Sequence, residues 1–426
     1  VRQLVAYYLP EVEGGDMRIS RRKFIASGAG MILGSSQLLS LAASAGEESK
    51  LTASNRILVI VQLAGGNDGL NTVIPYGCGQ YYDGRPFLAV KDSAVLPLSN
   101  TIGLHPNMPE LREHYQAGKL AVVLGVGYPS PSRSHFRAIE IWQTAQLENV
   151  SKMSWLGRYL AAAKNGNDCE SRNLFPAINV DPMQPRSLAT DRLIVPCISE
   201  LNQFRFNTDI HYQLGRQRRI ETFNRVYGSF DLDRPSAQLL ADVGMNDRQI
   251  AQYFSKVEKY YKRGVSYPDN GFGRGMKFIA QLITAGAGAQ IYNISLGGFD
   301  THADQLATHA SLLQQLSRSL SSFQRDLEIQ NHDQQVLLLV FSEFGRRLYE
   351  NEHSGTDHGT AAPVLIMGSA IKGGIYGDYP SLTQLDEGDL RYTTDFRSVY
   401  ATILDSWLSA DSKEILGKKF DNLAFV

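Results

Sequence analysis

The run Val336-Leu337-Leu338-Leu339-Val340-Phe341 constrains the fold most: it is uninterruptedly apolar and closes abruptly in Ser342-Glu343-Phe344-Gly345-Arg346. A strand with one wet face alternates apolar and polar residues. An unbroken short run fits a strand covered on both faces, as in parallel sheets. The pattern recurs. Ile57-Leu58-Val59-Ile60-Val61-Gln62-Leu63 runs into Ala64-Gly65-Gly66-Asn67-Asp68-Gly69, and Leu120 to Val126 runs into Gly127-Tyr128-Pro129-Ser130-Pro131-Ser132-Arg133-Ser134. Gln290 to Leu296 leads to Gly297-Gly298-Phe299-Asp300-Thr301-His302, and a shorter strand is expected over Val364 to Met367. Helices are expected in between. One starts at Ser134 with Phe136, Ile139 and Trp142 on one face, and another spans about 272–285. In a third, long helix Leu306, Leu313, Leu320 and Leu327 recur at heptad spacing, with Leu316 and Phe323 beside them. This alternation predicts an α/β fold, a mostly parallel central sheet sandwiched by helices. Residues 165–235, rich in Asn, Pro and Arg and without sustained period, read as an irregular insertion in a single domain over 46–426.

Charge and cysteine content remove several function classes. With 42 Lys+Arg against 43 Asp+Glu, the chain lacks the basic excess of a nucleic-acid binder. Three cysteines (Cys78, Cys169, Cys197) match no zinc-ribbon or C-x-x-C spacing. Cys169 and Cys197 flank the irregular region and are candidates to close a loop in an oxidising compartment. Ser20-Arg21-Arg22-Lys23-Phe24 opens a weakly apolar run that ends in Ala43-Ser44-Ala45. A twin-arginine signal peptide over 17–45 is expected, with 1–16 an over-long gene start, which implies the twin-arginine export machinery as a partner and a periplasmic or secreted protein. After cleavage no stretch approaches the ~18 apolar residues of a membrane span.

Acidic and histidine residues gather where the predicted strands end: Asp68, Asp300, His302, Glu343, Asp357 and His358. Ligands of α/β sheets bind at such ends, and Asp with neutral His suits zinc, manganese and related divalent ions, while carboxylates also suit calcium or magnesium. Each motif also has a plain structural reading: Asp68 as a turn residue, Asp300-Thr301 as a helix cap, Asp357-His358 as a loop pair. His309 lies on the apolar stripe of the long helix and reads as either a hydrogen-bonded core histidine or a further ligand. Ser134, at a helix start with Arg133 and His135 beside it, is the candidate nucleophile, because a helix N-terminus and a guanidinium both favour an anionic phosphate or sulfate. No G-x-S-x-G elbow or P-loop occurs, and the glycine-rich Gly271–Gly275 lacks the preceding strand of a dinucleotide site.

These segments, with Thr394-Asp395-Phe396-Arg397-Ser398-Val399-Tyr400 near the end, resemble a bacterial exported family, domain of unknown function 1501, from about residue 56 onward. The resemblance implies an alkaline phosphatase/sulfatase-like fold with metals at strand ends and a nucleophile that starts a helix. It implies Asp68, Asp300, His302, Asp357 and His358 as metal ligands, with Glu343 near them, and Ser134 as nucleophile. No histidine follows His358, so either His309 or another group substitutes, or one metal binds; Pro129 stands where sulfatases carry their modified cysteine. The expectation is an exported metal-dependent hydrolase of a phosphate or sulfate ester, small or polymeric. The alternative is a non-catalytic binding or envelope-assembly protein on a degraded site, since fold does not fix function.

Overall fold

The computed structural model describes residues 55–148, 153–165, 176–181, 195–198 and 264–426, with isolated positions between 188 and 261. The expected signal at 17–45 and most of the irregular stretch at 165–235 lie outside the described residues.

The doubly apolar runs form one sheet of eight strands: β1 (Ile57–Ala64), β2 (Leu120–Gly127), β3 (Ala177–Asn179), β4 (Ile291–Gly297), β5 (Val336–Ser342), β6 (Ala362–Met367), β7 (Gly374–Tyr376) and β8 (Thr394–Asp395). Their order is β7-β2-β6-β5-β1-β4-β3, with β8 also beside β2. β1 lies between β4 and β5, parallel to both (Ala64 opposite Gly297, Leu63 opposite Ser342). β6 is antiparallel to both its neighbours. The sheet is therefore mostly parallel, and the one reversed strand matters: β6 begins, at Ala362 opposite Val126, where its neighbours end. The segment leading into β6 thus arrives at the same edge as the segments leaving β1, β2, β4 and β5.

Successive residues of each strand feed opposite cores. Val59, Val61, Val122, Tyr292, Leu338 and Val340 pack with α1 (Pro109–Gln116), α4 (Gly271–Thr284) and α5 (Gln305–Ile329). Leu58, Ile60, Val123, Ile291, Leu337 and Leu339 pack with α2 (His135–Thr144), α3 (Trp155–Asn165) and α6 (Phe396–Thr402). Each such side chain contributes about 1.5–3 kcal/mol of burial, so both faces need a helical layer.

Two helical expectations shift. In α5, Leu313, Leu316, Leu320, Phe323 and Leu327 are buried, but Leu306 is 49% exposed. A heptad drifts ~20° per repeat on a straight helix, and over three repeats the stripe leaves the sheet. Gln305 and His309 occupy the inward positions instead. In α2 the buried positions are Ala138, Ile141, Trp142, Gln143 and Thr144, and Phe136 is 89% exposed. Cys78 and Cys197 are free thiols; Cys169, the expected partner of Cys197, lies outside the described residues. Among the described residues no helix is long and apolar enough to cross a membrane.

Candidate metal centre

The strand-end loops are drawn together by one buried arginine. Arg346, just after β5, donates from Nε to the Gly66 carbonyl at 2.6 Å, from Nη1 to the Thr356 carbonyl at 2.7 Å, and from Nη2 to the Phe299 carbonyl at 3.0 Å. Its Nη2 also meets Asp300 Oδ1 at 2.8 Å. The loops after β1 and β4 and the segment ahead of β6 therefore share one guanidinium. Two glycines make this closeness feasible. Gly65 (φ +118°) would bring a Cβ within 2.4 Å of the Asp300 nitrogen, and Gly66 (φ +76°) would bring one within 2.2 Å of the Phe344 ring.

Asp300 is the hub. Its Oδ1 lies 3.0 Å from His302 Nε2 and 3.1 Å from His358 Nε2, and those two nitrogens are 2.9 Å apart. Its Oδ2 lies 3.5 Å from His135 Nε2. The far side of each ring fixes which nitrogen faces inward. His358 Nδ1 donates to the Arg133 carbonyl at 2.9 Å, and a carbonyl only accepts. His135 Nδ1 is 3.0 Å from Glu343 Oε1, whose other neighbour is the Gly65 N–H at 2.7 Å. His302 Nδ1 is 3.5 Å from Asp357 Oδ1. With Nδ1 donating, the neutral His358 ring presents Nε2 as a bare lone pair toward the Asp300 carboxylate, 2.9 Å from His302 Nε2. Buried His135 Nε2 has no hydrogen-bond partner among the described residues. Lone pairs do not attract one another, so a proton or a cation must sit among them. Histidines that tie one nitrogen to a carbonyl or carboxylate and present the other are the usual metal ligands. Neighbouring donors about 3 Å apart suit an ion bound at about 2.0–2.2 Å. Burial opposes the charge on Asp300, but the hydrogen bond and charge of Arg346 hold its pKa down to about 2. The site faces solvent, with Asp300 and His302 about half exposed.

The structure divides the expected residues. Asp300, His302, His358 and His135 converge; His135, expected as a catalytic partner of Ser134, stands among the metal-facing groups. Asp357 is not in the inner group: it sits behind His302, taking a hydrogen bond from Asn351 at 3.2 Å. That bond lowers its pKa, against burial and with help from His302. Glu343 stands likewise behind His135.

Asp68 is withdrawn. Fully buried, it accepts from Arg85 and from Gln305 at 2.5 Å each, and also caps the one-turn helix Gly69–Thr72. Its carboxylate is turned to these partners rather than to the Asp300 group. His309 is likewise buried and turned elsewhere, with Nε2 3.0 Å from Asn67 Oδ1. Ser134 is the exposed cap residue of α2, and its hydroxyl makes no capping bond. Arg133 turns its guanidinium to Asp389, at 2.5 Å. Arg346 and Arg85 were not among the expected residues; only Arg346's place at the end of the most apolar strand marks it in the sequence.

No curated protein matches the sequence. Among solved structures the chain is similar to the PsFucS1 sulfatase from Pseudoalteromonas sp., at 12% identity over 86% of this chain and 70% of that one, with a TM-score of 0.38. It is similar to a protein in the alkaline phosphatase superfamily from Vibrio parahaemolyticus, at 9% identity over 85% of this chain and 69% of that one (TM-score 0.38). It is also similar to the C-terminal periplasmic domain of EcEptC from Escherichia coli in complex with Zn, at 14% identity over 74% and 73% (TM-score 0.32). Likenesses this slight carry nothing about activity, substrate or metal. The family comparison is of another order, covering residues 55–419: the chain belongs to the family of proteins of unknown function DUF1501.

Proposed function

We propose that this protein is an exported, metal-dependent hydrolase of a phosphate or sulfate ester. The observation that carries the reading is the convergence of three histidine Nε2 atoms on one carboxylate, each ring steadied from behind. Asp300, His358 and His135, with His302 beside them, would hold a divalent ion, which as a Lewis acid would withdraw charge from an ester oxygen. Ser134 is the nucleophile in this reading. Its chain neighbours both touch the centre: the Arg133 carbonyl binds His358, and the His135 ring packs on that of His358 at 4.5 Å between centroids. The free N–H groups of the first turn of α2 favour the anionic oxygens of the transferred group. Arg133, paired with Asp389, supports the loop rather than gripping the substrate.

The withdrawal of Asp68 favours a second reading, a non-catalytic binding protein with a reduced ligand set. Turnover separates the two. Metal-loaded protein should hydrolyse 4-nitrophenyl phosphate or 4-nitrophenyl sulfate, and Ser134→Ala should lose at least about a hundredfold in kcat, as removal of a nucleophile does. Failure of loaded wild-type protein on both esters would favour the binding protein. Export by the twin-arginine route is tested separately: replacing Arg21 and Arg22 by Lys should leave the precursor in the cytoplasm.

A further inference from the structure

A cavity of about 570 Å³ opens beside the centre, within the size range of small-molecule sites. Phe344 forms the shared wall: it lines the cavity, and its ring packs on those of His135 at 4.8 Å and His358 at 4.7 Å. Ser132 and Thr360, two residues from Ser134 and His358 respectively, line it as well. The Ser132 hydroxyl accepts the Ser134 N–H at 3.2 Å, so the cavity reaches the turn that carries the nucleophile.

We infer that this cavity seats the alcohol half of the ester, and that this half is an uncharged, hydroxyl-bearing ring of about the size of a sugar unit. The inference rests on the hydrolase reading for the role of the site, and on the lining for the class of ligand. Tyr392, 39% exposed, offers aromatic surface, with Tyr128, Trp142 and Phe344 almost wholly buried in the wall behind it, while Asp386 and Arg391 offer an acceptor and a donor fork. A simple alkyl group would leave the polar set unused. An anionic group would gain from Arg391 but would oppose Asp386. A hydroxylated ring satisfies both kinds of wall. The walls are also firmly set. Ser130 is held at φ +52°, a conformation that non-glycine residues adopt at a cost and that gathers at functional sites. A Cβ on Gly127 would come within 2.8 Å of Tyr392.

Binding tests this apart from turnover. Saturation-transfer NMR on the mature protein, with glucose, mannose and N-acetylglucosamine as probes and acyclic sorbitol as control, should show transfer to at least one ring and little to sorbitol. Tyr392→Ala and Arg391→Met, both at exposed positions, should each weaken that binding by about fivefold, the scale of one aromatic or polar contact. Asp300→Asn should lose the metal yet keep sugar transfer, so a failed hydrolase reading does not pass for a failed cavity. No transfer to any ring, or transfer unchanged in both cavity variants, overturns the inference.

Discussion

Two aspartates at the ends of adjacent strands meet different fates because of what folds against them. Asp300 gathers histidines; Asp68 meets Arg85, with both side chains fully buried. Burial alone would push the Asp68 carboxyl up, but the Arg85 charge and hydrogen bond outweigh it and its pKa is lowered. Removing one partner strands the other charge, so Arg85→Met should cost about 3–5 kcal/mol in urea unfolding; a loss below 1 kcal/mol would show that the pair is not buried in solution. In the sequence Asp68 and Asp300 look alike, each a strand-end acid beside glycines, and only the tertiary position of Arg85 separates them. His309 and His105 make a second residue-scale case. Burial holds both rings down to about 4, although the Asp68 charge pulls the other way. Their folded pKa values lie below the unfolded value near 6.5, so acid favours the unfolded chain. Stability should be full above pH 6.5 and fall as the pH drops toward 4. His309→Gln should flatten that fall in melting temperature, and an unchanged slope would contradict the buried neutral ring.

At the scale of elements, the strands were legible because burial on both faces leaves no polar position in the run, and β1, β2, β4 and β5 lie within a residue of where the sequence puts them. The direction of β6 was not legible. Pairing sense depends on the connection, and six apolar residues read the same either way. Yet that reversal brings His358 to the centre, since the chain enters β6 at the edge where the other strands leave. The Arg346 clasp was hidden for a related reason: a buried arginine is indistinguishable in sequence from an exposed one until the carbonyls around it are known. Gly66 offers the test at this scale. Gly66→Ala must place a Cβ against the Phe344 ring from a left-handed backbone, so it should lower the melting temperature and weaken metal binding together. If titration with zinc or manganese gave the wild-type affinity, the Gly65-Gly66 turn would not be setting the geometry of the site.

For the molecule as a whole, a centre assembled from segments as distant as His135 and His358 exists only in the folded chain. An ion bound there must stabilise the fold by mass action, and chelation should lower the melting temperature of wild-type protein but not of Asp300→Asn. The groups should rank by position. Loss of Asp300 removes the hub, whereas Asp357→Asn, acting behind His302, should weaken metal affinity by about 10–100-fold without abolishing it, as outer hydrogen-bond partners of ligands do. The most direct measurement is the divalent metal content of mature protein purified without chelator, determined by mass spectrometry beside Asp300→Asn folded to the same circular dichroism spectrum. About one equivalent or more of a divalent ion in the wild type and almost none in the variant is the result this site requires. A folded wild-type protein that neither carries nor takes up a divalent ion, or a variant that retains the full complement, would contradict it.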